Sequence, residues 1–201
     1  MTIHKLYPVG FAANTYFLTA DGGNAVAIDP AQPRAAEEAK RLGLAVKYVL
    51  LTHGHFDHIG GCAALFAAGA EIGCLKGEED TALFHNLGRE FGGIEVPPFP
   101  IGFTVRDGET LSLCGMEIRV IATPGHTSGG ACYLAEDKLF SGDTLFAGSV
   151  GRCDLPTGSG EALERSVKKL YALAGDYTVY PGHGEDTALS RERLYNGWIR
   201  A

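Results

Sequence analysis

No run in the 201-residue chain reaches the roughly 18 consecutive apolar residues that a membrane-spanning helix needs. The opening "MTIHKLYPVG" has no basic head leading into an apolar stretch, so no signal peptide is expected. Positive charge is scarce: 17 Lys and Arg stand against 24 Asp and Glu, a net charge of −7. That balance argues against a surface built for phosphate backbones, so neither a nucleic-acid nor a membrane partner is expected. A small anionic substrate stays compatible, because local charge matters more than the total. No CxxC pair occurs among the five cysteines, Cys62, Cys74, Cys114, Cys132 and Cys153. An odd count in a chain of this length is neither a disulfide framework nor a zinc ribbon, and free thiols in a reducing cytoplasm are expected. Repeats and low-complexity tracts are lacking as well. The expectation is one domain over residues 1–201, large enough to bury a proper core.

What is there alternates between strands and helices. "HKLYPV", "NTYFLTA" and "GNAVAIDP" read as strands. Pro33 to Leu42 opens with Pro, is rich in Ala, Glu, Lys and Arg, and precedes Gly43, which predicts a helix with a start and a stop. "VKYVLLT" is a continuous apolar run, hence a buried strand. "GGCAALFAAGA" predicts a tightly packed helix, "EIGCLK" a short strand, and Glu78 to Leu87 another helix. From Phe103 to Asp143 the pattern changes to short strands with turns at Asp107-Gly108 and Gly115. Ser159 is placed to cap a helix over Glu161 to Leu173, with Leu163, Val167 and Leu170 as its apolar stripe. "YTVYP" is a last strand and Ser190 to Ile199 a last helix. Two sets of strands with accompanying helices fit an α/β (α+β) chain whose sheets stack face to face with helices outside. Periodicity alone does not separate this from a doubly wound fold, although the hairpins in mid-chain disfavour a purely parallel sheet.

Chemistry concentrates in "LTHGHFDHIGG", where His53, His55, Asp57 and His58 fall within six positions at the end of an apolar run. One histidine alone is more often a solvated side chain than a ligand. Three beside an acid form a mixed nitrogen and oxygen donor set for zinc, iron or similar ions. His53 and His55 are two apart, so in extended backbone they point the same way. Asp57 and His58 are adjacent and serve a second direction, a spacing that suits two metals better than one. Three later segments repeat the grammar of apolar strand, small residues and one ligand-type side chain: His126 in "TPGHTSGG", Asp143 in "LFSGDTLF" and His183 in "VYPGHGED". Together these are seven candidate ligands, using five of the seven histidines. His4 and His85 sit in no such setting and read as surface or packing residues.

These motifs resemble the metallo-β-lactamase-fold hydrolases, with "HGHFDH" for the family's HxHxDH followed in order by His126, Asp143 and His183. The resemblance covers essentially the whole chain. It implies a four-layer αββα sandwich with two divalent metal ions at one edge of the stacked sheets. Zinc suits the ligands, with iron and manganese as alternatives. Carried over by position, His53, His55 and His126 hold the first ion, Asp57, His58 and His183 the second, and Asp143 bridges. Asp57 and Asp143 are thereby the catalytic acids. Asp29, in "AIDP", matches a family acid behind the ligands; otherwise it is a turn residue at a strand end.

Within the superfamily, "FSGDTLFAGSVGRCDLPTG" is similar to the short, single-domain glyoxalase II-like members. That similarity implies hydrolysis of a thioester, S-(2-hydroxyacyl)glutathione or a relative, by hydroxide held between two cations. Arg152 falls where that group places a basic residue near the substrate. Two departures bear on the thiol carrier. The helical C-terminal extension of full-length glyoxalase II has no counterpart before Ala201, and Asp154 stands where the group has a tyrosine. A persulfide dioxygenase-like enzyme with one iron on His53, His126 and Asp143 is the main alternative. Hydrolysis of another small ester and metal binding without catalysis also stay open. "LGREFGGIEVPPFPIG", Leu87 to Gly102, reads either as a lid with Phe91 or Phe99 touching substrate or as a surface loop packed on the body. "GFAANTYF" borders the site in this reading. The oligomeric state is not legible in the sequence.

Overall fold

In β3 (Asn24–Ile28), Ala25 and Ala27 face one hydrophobic cluster while Val26 and Ile28 face another. This is the period of two expected of a strand covered on both sides. β4 (Ala45–Leu51) repeats it, with Val49 and Leu51 on one side and Tyr48 and Leu50 on the other. The computed structural model that shows this describes residues 1–79, 88–90 and 95–201. β3 and β4 pair in parallel, which demands a crossover. α1 (Ala35–Arg41) provides it and buries Ala35 and Ala39 against the sheet. A second crossover, through α2 (Phe56–Ile59) and α3 (Cys62–Ala67), leads to β5 (Glu71–Leu75), again parallel. With β1 (Thr2–Leu6), β2 (Thr15–Thr19) and β6 (Phe103–Val105), the first sheet runs in the order β1-β2-β3-β4-β5-β6.

The second sheet begins as a meander of β7 (Thr110–Leu113), β8 (Met116–Ala122), β9 (Ala131–Ala135) and β10 (Lys138–Gly142). A two-stranded ribbon, β11 (Leu145–Phe146) and β12 (Ser149–Val150), follows. α4 (Gly160–Tyr171) then crosses to β13 (Thr178–Pro181), parallel to β10. β14 (Thr187–Ala188) and α5 (Leu189–Tyr195) finish the chain, giving the order β14-β13-β10-β9-β8-β7. Alternation along β8 to β10 sends Ile118, Val120, Tyr133 and Phe140 between the sheets, and Ile121, Cys132 and Leu139 out against α4. Three stacked clusters therefore separate four layers, the αββα sandwich.

α4 matches its prediction in cause as well as in place. Ser159 is extended, and its hydroxyl accepts from Ala162 N at 3.3 Å. Leu163, Val167 and Leu170 are all buried, each such side chain contributing roughly 1.5–3 kcal/mol. Other predictions shift. The helix expected over Gly60 to Ala70 is shorter, α3 over Cys62–Ala67, and the turn at Gly60 and Gly61 separates it from a single helical turn, α2, that the sequence reading did not include. The last helix stops at Tyr195, four residues short of Ile199. There Asn196 turns extended, and its side-chain oxygen accepts from Trp198 N and Ile199 N, offering the backbone an alternative to the helix. Most of the helix predicted over Glu78 to Leu87, with His85, lies outside the described residues, as does Phe91. Phe99 is buried with Val96 in the outer cluster of the first sheet, so of the two readings of that segment Phe99 follows the packing one.

Candidate metal centre

Five strands deliver a polar side chain as they end, and all five end at one edge of the sandwich. β3 gives Asp29, β4 gives His53 and His55, β8 gives His126, β10 gives Asp143 and β13 gives His183. The stretch after β4 stays extended through His55 and then makes the single turn of α2, which carries Asp57 and His58. The backbone switch thus aims the two pairs differently, as their spacing suggests. His53 and His55 meet His126; Asp57 and His58 meet His183; His53 and His58 meet Asp143. Within each trio the donor atoms lie within 4.8 Å of one another, so the cluster is capable of binding metal ions. Asp143 occupies the middle, with Oδ1 3.3 Å from His58 Nε2 and Oδ2 3.5 Å from His126 Nε2 and 3.7 Å from His183 Nε2. The backbone must pass close for this. A Cβ on Gly182 would sit 2.2 Å from Asp143 Oδ1 and 2.6 Å from His58 Cε1.

The donor chemistry fits a cation. His53 Nε2, His58 Nε2 and Asp143 Oδ1 are buried and make no hydrogen bond among the described residues, even where two of them are 3.3 Å apart. Buried polar atoms left this way cost free energy unless something charged accepts them. The far side of three of the rings is held instead. His58 Nδ1 donates to Asp29 Oδ2 at 2.8 Å, and His126 Nδ1 to the carbonyl of Arg152 at 2.6 Å. Thr52 Oγ1 donates to Asp29 Oδ2 at 2.6 Å, and lies 3.1 Å from His53 Nδ1, from which it accepts. Fixing Nδ1 as the donor leaves Nε2 as the lone pair facing the cluster. Asp29 thus stands directly behind the ligand-type side chains, and its φ of +46° turns the chain there.

Electrostatics agree. Burial, and then the neighbouring rings, drive His53 well below its ordinary value. Burial and His126 bring His55 down to about 3. Both are neutral imidazoles near neutrality, the form that ligates. Burial opposes ionisation of Asp143, but His58 and the other rings outweigh it and hold the carboxyl below its usual range. In Asp57, burial is likewise outweighed, by His183 and His58. His58 is the exception among the rings. Burial lowers it, yet Asp143 and Asp29 push it well above the ordinary imidazole value. A protonated ring between two carboxylates is a stand-in for a cation.

The sequence profile of the Metallo-beta-lactamase superfamily matches residues 8–183. The chain belongs to the metallo-beta-lactamase superfamily. Across its whole length it is similar to hydroxyacylglutathione hydrolase GloC of Haemophilus influenzae, 34% identical, with 100% of this chain and 99% of that protein covered. Among solved structures it is similar to the BLEG-1 B3 metallo-beta-lactamase, with a TM-score of 0.90 and 29% identity over the full length of both chains. It is also similar to TTHA1623 in a di-iron-bound form, with a TM-score of 0.84, 33% identity and 99% and 100% of the two chains covered.

The superfamily scaffold opens here onto a cavity of about 470 Å³ that reaches His55, Asp57, His126, Asp143 and His183. Phe11, Phe56, Phe146 and Leu155 form its apolar walls. Phe11 confirms that the early loop borders the cavity, and it is 72% exposed. Arg152 stands at the rim, its guanidinium held by Asp154 through Nε–Oδ1 at 2.6 Å and Nη2–Oδ2 at 2.7 Å. Phe56, Phe146, Leu155 and the Thr52 relay have no counterpart in the sequence reading. Phe56 and Thr52 sit inside the histidine motif, where their position was the available signal. Phe146 and Leu155 carry none, because only the fold of β11, β12 and the loop beyond brings them to the cavity. Among the described residues no helix is long and apolar enough to cross a membrane.

Proposed function

We propose that this metallo-hydrolase is a dinuclear thioesterase of glyoxalase II type, acting in the cytoplasm as a single domain on S-(2-hydroxyacyl)glutathione or a related small thioester. The observation that carries the reading is the pair of donor trios on either side of Asp143, open to one cavity. His53, His55 and His126 would hold one divalent ion and Asp57, His58 and His183 the other, with Asp143 between the two sets. Bound divalent cations supply Lewis acidity for a carbonyl and lower the pKa of water from 15.7 toward about 7. The chain's own residues do the rest. Asp29 and the Arg152 carbonyl keep His58 and His126 in the ligating tautomer. Phe11, Phe56, Phe146 and Leu155 exclude bulk water and seat the acyl group. Water adds to the carbonyl carbon, the carbon–sulfur bond breaks, the acyl group leaves as carboxylate and the sulfur as thiolate, a leaving group needing little acid help, and the two protons of the water pass to solvent. Arg152 meets an anionic part of the carrier at the rim, in exchange for Asp154.

The activity for which GloC is named supports the substrate class, and the di-iron form of TTHA1623 supports two ions, with iron as the alternative to zinc. The test is a preparation made without added metal, assayed for metal per chain and for S-lactoylglutathione hydrolysis. Near two ions per chain with turnover supports the proposal. One iron per chain, no hydrolysis, and oxygen uptake with a persulfide would replace it with the dioxygenase-like reading. Two ions with turnover of a β-lactam but no thioester would move the substrate toward that of the BLEG-1 relative.

A further inference from the structure

The loops that bear His53, His55 and His126 come from different sheets, and one buried acid touches both. Glu78 lies in the turn after β5, the strand that neighbours β4 in the first sheet, and its Leu75 contact closes that turn. It is 2% exposed and does not line the cavity. Its Oε1 accepts from Gly54 N at 3.0 Å, the amide between His53 and His55. Its Oε2 accepts from Gly129 N at 2.9 Å, three residues after His126. The approach is close enough that a Cβ on Gly129 would lie 2.4 Å from Oε2. No other carboxylate among the described residues accepts from the backbone of both loops. A carboxylate offers two separate acceptor oxygens, and here each takes one of the two amides.

We propose that Glu78 is a positioning residue for the metal centre: its carboxylate holds the Gly54 and Gly129 amides and so fixes the distance between the His53–His55 pair and His126. The inference rests on the cluster being a metal site. It concerns one donor trio, His53, His55 and His126, and leaves Asp57, His58 and His183 alone. Glu78→Gln is the informative change. Glutamine keeps a single acceptor oxygen, so its amide nitrogen must face one of the two backbone N–H groups, and the strap is cut on one side. Loss of such an outer contact lowers metal affinity about 10–100-fold.

The experiment is titration of the metal-free full chain with Zn²⁺ against a chelator, with Co²⁺ absorption as the readout of ligand geometry. Glu192→Gln is the matched control. Glu192 is 1% exposed and also accepts from a backbone amide, Gly148 N at 2.8 Å, but it touches neither histidine loop. Expected is a roughly 10–100-fold weaker ion and an altered Co²⁺ spectrum for Glu78→Gln, with the second ion unchanged, while Glu192→Gln loses stability but keeps both affinities within twofold. Gly129→Ala, which must displace the carboxylate, gives the same pattern and serves if Glu78→Gln does not fold. Wild-type affinity in a folded Glu78→Gln or Gly129→Ala overturns the proposal, as does an equal loss in Glu192→Gln. A wild-type chain that binds no ion overturns the metal reading itself.

Discussion

Replacing Asp29 by Asn removes one charge and no atoms, and the surroundings make its consequences specific. Asp29 Oδ1 accepts from Thr52 N at 2.8 Å, and Oδ2 accepts from both Thr52 Oγ1 and His58 Nδ1. Every one of these partners is a donor. An Asn amide must therefore point its NH₂ either at the Thr52 amide or at the pair formed by Thr52 Oγ1 and His58 Nδ1. The second arrangement is the less damaging, since His58 can move its proton from Nδ1 to Nε2 and accept instead. That places a proton where the ligating lone pair belongs, and it breaks the relay through Thr52 to His53 as well. Asn tolerates the positive φ of this position, so the backbone stays put. The expected cost to folding is about 1–3 kcal/mol, one buried donor mismatched, against a 10–100-fold loss of metal affinity. Asp29→Ala is worse for folding. It leaves buried donors unpaired and forces Ala into a left-handed conformation, about 3–5 kcal/mol together. Urea unfolding and Zn²⁺ titration separate the two variants. Asp29→Asn with wild-type Zn²⁺ affinity would refute the reasoning.

Three further outcomes are expected. Asp143→Ala removes the acid between the two donor trios and should abolish thioester turnover, measured as thiol release, while circular dichroism shows the fold retained. Leu163→Ala should cost about 2–5 kcal/mol in denaturant unfolding without changing metal per chain, because Leu163 lies on the buried face of α4 in the outer cluster of the second sheet and not among the donor residues. In Asp107, burial is outweighed by Lys169 and the Ala122 amide, so its carboxyl is held below 3.8 in the folded state. A depressed folded pKa stabilises above the unfolded value and is lost as pH falls through the lower one. Asp107→Asn should therefore flatten the acid limb of the stability curve below about pH 4, and an unchanged slope in acid titrations would contradict this.

The strands were legible as apolar runs such as Ala25 to Ile28, but periodicity alone left a doubly wound fold open, and the four-layer sandwich followed from the resemblance of the histidine motifs; which of these residues face which cluster needed the stacked sheets. The capped α4 was legible because Ser159 and the Leu163 stripe are local signals. The donor residues announced themselves by type: histidine and aspartate at strand ends have few structural reasons to cluster. What sequence could not give were the partners that act through space. Glu78 looks like any surface acid beside Glu79. Only the pairing of β4 with β5 carries it beneath Gly54, and only the stacking of the sheets brings Gly129 to its other oxygen. The short reach of α5 was hidden for a similar reason. Asn196 stops the helix by bonding to Ser149 O and to Glu192, contacts that need the ribbon already in place.

Each of the three donor trios draws at least one member from beyond residue 125 and at least one from before residue 59. A ribosome making the chain therefore exposes His53 to His58 long before any trio can close. The 125 residues from His58 to His183 take roughly 6–25 s at 5–20 residues per second. During that interval the nascent segment offers an incomplete set of ligands, without His126, Asp143 or His183 opposite. Ion selection thus falls to the finished sandwich and the metals around it at that moment, so the host in which the protein is expressed becomes one determinant of the metal it carries.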